Sequence, residues 1–79
     1  MSKEKIVIKS IGGVGINEIG SCLVLMFTNY GVLMYDSGTE KFSLNDIEIS
    51  SEDFDLENAY KEAINAMSFT LNMLAPKKD

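Results

Sequence analysis

Residues Ile11 to Gly38 read IGGVGINEIGSCLVLMFTNYGVLMYDSG, and two apolar runs inside that stretch decide the fold: Cys22 to Thr28 (CLVLMFT) and Val32 to Tyr35 (VLMY). The residues between them, Thr28-Asn29-Tyr30-Gly31, carry turn chemistry, because Asn and Gly both tolerate the left-handed conformation that tight hairpins use. The two runs are therefore antiparallel neighbours. Neither alternates as a strand with one wet face does. Continuous apolar strands ask for burial on both faces, with Cys22, Val24 and Met26 on one side and Leu23, Leu25 and Phe27 on the other. Such a hairpin needs two covering layers.

Working outward toward the N-terminus, Lys5 to Ile11 (KIVIKSI) places Ile6 and Ile8 on one face and Lys5, Val7 and Lys9 on the other, as a first strand would. Gly12-Gly13-Val14-Gly15 is expected to break it with a turn, since glycine enters positive φ freely, and Ile16 to Ser21 reads as a loop. Downstream of Asp36-Ser37-Gly38, the segment TEKFSLND reads as a polar connection, although Phe42 and Leu44 lie two apart. Ile47-Glu48-Ile49 alternates and predicts a short fourth strand at an edge.

The period then changes. Ser50, Ser51, Glu52, Asp53 and Asp55 form a capping and dipole-matching run ahead of a helix from about Asp53 or Asp55 to Leu74. Leu56, Tyr60, Ala63, Ile64, Met67, Leu71 and Leu74 recur at spacings of three and four and make an apolar stripe. Glu57, Lys61, Asn65, Ser68 and Asn72 sit roughly opposite. Pro76 ends the helix and Lys77-Lys78 suit its negative end. The fold class that results is α+β: a small antiparallel sheet of three to four strands followed by one long C-terminal helix.

One helix covers one face of a sheet. Burial stabilises by about 25 cal/mol per Å², so several wet apolar side chains on the second face would cost an amount comparable to a small domain's whole stability. The chain is therefore expected to form a homodimer or higher oligomer, through the second sheet face or through the helix. The alternative is that loops fold over that face.

Composition narrows the field further. The 79 residues allow one core, hence a single domain over 1–79 with 1–4 and 76–79 flexible. One cysteine, Cys22, excludes an internal disulfide, and without histidine a closed zinc site lacks its ligands. Seven lysines, no arginine and twelve acids leave a net charge of −5, the opposite of a duplex nucleic-acid binder. No apolar run is long enough for a membrane span and no signal-like core follows MSKEK, so the expected setting is the cytoplasm. Cys22, with no histidine to act as its base, reads as a small buried hydrophobe. No catalytic residue, metal ligand or cofactor is assigned.

The residues Gly12, Gly13, Gly15, Glu18, Ile19, Gly20, Asp36 and Gly38 resemble the opening of the metallo-β-lactamase superfamily, in its β-CASP ribonuclease branch. There a strand enters a glycine loop with Glu-Ile-Gly, and a strand, a turn and a second strand ending in Asp-x-Gly follow. Here Ile16-Asn17 is inserted before Glu18. The resemblance covers about a third of the chain and implies the first hairpin of an αββα sandwich, with the Asp near a metal site. The family's chemistry needs a downstream His-x-His-x-Asp-His cluster, and this chain has no histidine. A zinc-activated water cannot be assembled in the family's way.

Two candidate sites remain. Gly12-Gly13-Val14-Gly15 reads either as a tight bend or as an anion nest, with Lys9 or Lys41 as the counter-charge and Asn17 and Glu18 completing a ligand loop over Gly12 to Gly20. Glu48, Glu52, Asp53, Asp55 and Glu57 read either as helix-start chemistry or as a negative patch that steers onto a basic partner, with Tyr30 as an aromatic anchor. The expected function is a non-catalytic, oligomeric protein-interaction module that binds itself and another protein, such as an inhibitor from a phage or other mobile element acting on a host protein. The alternatives are a nucleotide-sequestering protein using the glycine loop at a subunit interface, and a degenerate metallo-hydrolase-like fold.

Overall fold

The computed structural model describes residues 3–74, with side chains through Phe69. It is an α+β fold in which a five-stranded antiparallel meander carries one C-terminal helix. In chain order the elements are β1 (Glu4–Lys5), β2 (Ile8–Ile16), β3 (Cys22–Thr28), β4 (Gly31–Asp36), β5 (Lys41–Leu44), β6 (Ile47–Ile49), β7 (Phe54–Asp55) and α1 (Glu57–Leu74). Strands β2 to β6 lie side by side in sequence order. Apart from them, β1 and β7 pair in parallel, Glu4 with Phe54 and Lys5 with Asp55. Of the 1–4 segment expected to be flexible, Glu4 is thus held in a ladder; the expectations for 76–79, Pro76, Lys77 and Lys78 lie outside the described residues.

The central hairpin forms as expected, with two antiparallel strands joined at the Thr28-Asn29-Tyr30-Gly31 turn. Val24 faces Tyr35, Met26 faces Leu33 and Thr28 faces Gly31 across β3 and β4. Only Gly31 (φ 122°) takes positive φ in that turn. Thr28 holds the turn by accepting the Tyr30 N–H at 3.0 Å and donating to the Gly31 carbonyl at 3.0 Å.

Three expectations are corrected. The glycines at 12, 13 and 15 do not form a turn: β2 runs through them to Ile16, pairing Gly13 with Leu25 and Gly15 with Leu23, with register shifts at Lys9 and Gly12. Glycine permits a turn without requiring one, and here its missing side chain makes room. A Cβ on Gly12 would lie 2.7 Å from the Phe27 ring. The reversal comes instead at Asn17 to Gly20, where Gly20 has φ 90° and the Asn17 carboxamide accepts the N–H groups of Ile19 and Ser21.

The second correction adds a strand. TEKFSLND is not a connection, because Lys41–Leu44 pairs with β4, Tyr35 opposite Phe42 and Leu33 opposite Leu44. Asn45 (φ 51°) and Asp46 (φ 70°) then form a two-residue turn of the kind that matches sheet twist, leading into the predicted strand Ile47–Ile49 as β6. The sheet accordingly has five strands rather than three to four.

The third concerns the helix stripe. The buried positions are Leu56, just ahead of α1, and Ala59, Ala63 and Met67 on it, a line of spacings three, four and four. Ile64 and Ala66 flank it half-buried, while Tyr60 stays 44% exposed. Ala59 and Ala63 let the helix lie close to the sheet, over β2 and β3. Leu71 and Leu74 fall outside the residues whose side chains are described. The core formed beneath the helix joins Val24, Met26, Leu33, Tyr35 and Phe42 with Ile6 from the β1–β2 link. Among the described residues no helix is long and apolar enough to cross a membrane.

The opposite face of the sheet carries Leu23, Leu25, Phe27, Val32 and Met34. Leu23, Leu25 and Met34 are half-buried, and Phe27 and Val32 are exposed. The alternation that buries Val24 and Met26 under α1 necessarily sends these neighbours to the other side.

Candidate functional site

At the N-terminal end of α1 a cleft of about 620 Å³ opens between the helix, the β5–β6 edge and β7. Its apolar walls are Phe42, Ile49, Phe54, Leu56 and Tyr60. Lys3, Glu40, Asp55 and Glu57 give its rim charge. Period-two alternation explains why Phe42 and Ile49, cross-strand partners on β5 and β6, both point to the helix side. Lys41 and Glu48 also border the cleft, but alternation places their side chains on the far face, where they pair at 3.7 Å.

Aromatic rings join the cleft to the core. Tyr35 sits between Phe42 (centroids 4.9 Å apart) and Tyr60 (5.7 Å, edge-on). Burial, followed by the neighbouring Tyr60 and Glu40, holds the Tyr35 phenol above the ordinary tyrosine value. The Tyr60 ring is therefore fixed on one edge and open on the other. Asp55 begins the helix by accepting the Glu57 N–H at 3.2 Å, which directs two carboxylates to the same rim. Glu57 also pairs with Lys61 one turn on, at 3.7 Å. Both partners are largely exposed, so that pair contributes roughly 0.3–0.5 kcal/mol at most.

The structure brings together part of the predicted acidic site. Asp55 and Glu57 line the cleft. Asp53 lies just outside it, its carbonyl accepting the Glu4 N–H at 3.2 Å. Tyr30 packs edge-on against Phe54 at 5.7 Å and donates its hydroxyl proton to the Glu4 carboxylate. That hydrogen bond, with smaller contributions from burial and from the charge on Glu4, raises the Tyr30 phenol above its ordinary value. Tyr30 thus braces β1 against β7 behind the cleft rather than standing free beside it.

The predicted ligand loop is not assembled. Lys9 stands near the start of β2 and Glu18 beyond its end, roughly 25 Å apart at the rise of an extended chain. Gly12, Gly13 and Gly15 lie along the strand between them. An anion nest needs successive N–H groups aimed at one point, whereas along a strand they alternate between its two edges. The Asn17 carboxamide is engaged within its own turn. Asp36, the last residue of the resemblance's second strand, uses Oδ1 to accept the Gly38 N–H at 2.8 Å. Among the described residues no three His, Cys, Asp or Glu side chains converge as a metal site would require.

Sequence reasoning missed Glu40, Phe42 and Tyr60 as site residues. Phe42 was within reach through the Asn45-Asp46 turn signal, which marks Lys41–Leu44 as a strand. Glu40 and Tyr60 had no local signal, because folding alone brings them to the cleft. No protein-family model matches the chain, and no curated protein or solved structure matches it at a significant level.

Proposed function

We propose that this chain is a non-catalytic, oligomeric interaction module that holds a basic segment of a partner protein in the cleft at the start of α1. The observation that carries this reading is the meeting there of Glu40, Asp55 and Glu57 with the Phe42, Phe54 and Tyr60 rings around about 620 Å³ of open space. Carboxylates attract a lysine or arginine head, and aromatic faces accept its stem and add a cation–π attraction of about 0.5–1 kcal/mol at exposed sites. The chain's net charge of −5 speeds encounter with a positive surface. A basic phosphate-binding channel of a nucleic-acid enzyme has the matching chemistry, which suits an inhibitor acting from the cytoplasm.

The test is charge reversal with a remote control. Binding of a lysine- and arginine-rich peptide is measured by calorimetry for the wild type, for the combined Asp53→Lys, Asp55→Lys and Glu57→Lys variant, and for Glu18→Lys. Loss of binding in the triple variant with retention in Glu18→Lys is expected. Equal weakening in proportion to charge at both places would reduce the cleft to part of a diffuse negative surface.

A further inference from the structure

We infer that the basic head taken by the cleft at the start of α1 is an arginine of the partner protein, its guanidinium lying flat on the Tyr60 ring with its N–H groups on the neighbouring carboxylates, and that lysine is the poorer ligand there. This deepens the proposed function and rests on it. Of the three rings that line the cleft, Phe42 is buried and Phe54 half-buried, whereas Tyr60 is 44% exposed. Tyr60 meets Tyr35 edge-on at 5.7 Å with the ring planes 85° apart, a contact that covers no more than one of its two faces. A planar guanidinium stacks on an open aromatic face, and a compact, strongly hydrated ammonium uses that face less well.

Carboxylates adjoin that ring from two elements. Glu57 precedes Tyr60 by three residues on α1, the spacing that makes side chains neighbours on a helix surface. Glu40, from the β4–β5 turn, is close enough to Tyr35 for its charge to act on that phenol, and Tyr35 touches Tyr60. Some of their oxygens are engaged already. Lys61 approaches Glu57 Oε1 at 3.7 Å, and Asp55 Oδ1 accepts the Glu57 N–H at 3.2 Å. What remains is one oxygen each on Asp55 and Glu57, together with the Glu40 carboxylate, an acceptor set divided among separate groups. Five N–H donors in a fixed fork match such a set better than one ammonium does. The charges agree. Lys41 and Glu48 border the cleft but pair with each other on the far face. Lys3 and Lys61 then stand against Glu40, Asp55 and Glu57, with Glu52 and Asp53 beside them on the turn whose Ser50 and Ser51 also line the cleft, two positive charges against five negative.

Calorimetry on the full chain tests the inference with two peptides of identical sequence, except that one carries arginine wherever the other carries lysine. The wild type is expected to bind the arginine peptide about fivefold more tightly, the worth of a cation stacked on an exposed ring. Tyr60→Leu should bring the two peptides to one weaker affinity with an unchanged circular dichroism spectrum, and Tyr60→Phe should keep the preference. In the wild-type complex the δ-methylene and Nε protons of one arginine should move upfield under the Tyr60 ring current, a readout that still decides if Tyr60→Leu does not fold. Equal affinity of the wild type for both peptides, a folded Tyr60→Leu that keeps the preference, or a bound arginine without the upfield shift would overturn the arginine site and leave the basic-segment reading standing. Binding of neither peptide would overturn that reading as well.

Discussion

Replacing Asn45 separates the contributions of one small latch. Its Oδ1 accepts the Val32 N–H and its Nδ2 donates to the Tyr30 carbonyl, both at 3.0 Å, tying the β5–β6 turn to the β3–β4 turn. It does so from a left-handed backbone, φ 51°. Asn45→Ala removes two solvent-exposed hydrogen bonds, about 0.5 kcal/mol each at the low end of the usual range, and asks alanine to hold positive φ, about 1 kcal/mol more. The expected loss is about 2 kcal/mol, or roughly 10 °C in Tm for a domain of this size. Asn45→Gly keeps the backbone comfortable and should lose only the hydrogen bonds, about half as much. Urea and thermal melts of the three proteins check the ladder. If Asn45→Gly proves as damaging as Asn45→Ala, backbone strain does not contribute as argued; if both are neutral, the latch does not exist in solution.

Two further predictions concern the core. Ala63 is fully buried where α1 meets the sheet, so Ala63→Leu should cost roughly 1–3 kcal/mol by forcing the helix away, read as a lowered denaturation midpoint. Because the Tyr35 phenol is held above its ordinary value in the folded state, the folded chain keeps that proton where the unfolded chain releases it. That contribution to stability is complete below pH 10 and is lost as pH rises through the folded-state value. Tyr35→Phe should flatten the alkaline arm of the stability curve measured by denaturant titration.

Much of this fold was legible because burial imposes a period. Ile6 and Ile8 were separated correctly by burial from Val7 and Lys9, but the one strand expected over Lys5 to Ile11 is interrupted at Ile6-Val7, between β1 and β2. The split of β3 into Val24 and Met26 against Leu25 and Phe27 followed from alternation alone, and with it the expectation that one face would lack its own cover. The helix was equally visible, though its buried line runs through Ala59 rather than Tyr60: small side chains mark close approach, and hydrophobicity alone does not reveal them. Gly12 to Gly15 misled for a different reason. Glycine is as compatible with an extended strand as with a turn, and only Phe27, fifteen positions on, decides between them. Asp55 and Glu57 were found because they are neighbours in the chain, whereas Glu40, Phe42 and Tyr60 meet them only through the register of β4 to β6. Lys9 and Glu18 went the opposite way, being close in sequence but set at the two ends of one strand.

The most direct test of the cleft is residue-resolved. Two-dimensional amide NMR of the labelled chain, titrated with a lysine- and arginine-rich peptide, should move the signals of Glu40, Asp55, Glu57 and Tyr60 together along one binding curve and leave Glu18, Asp46 and Glu62 in place. Shifts spread evenly over all the acidic residues, or confined to the Asn17 to Gly20 turn, would contradict it.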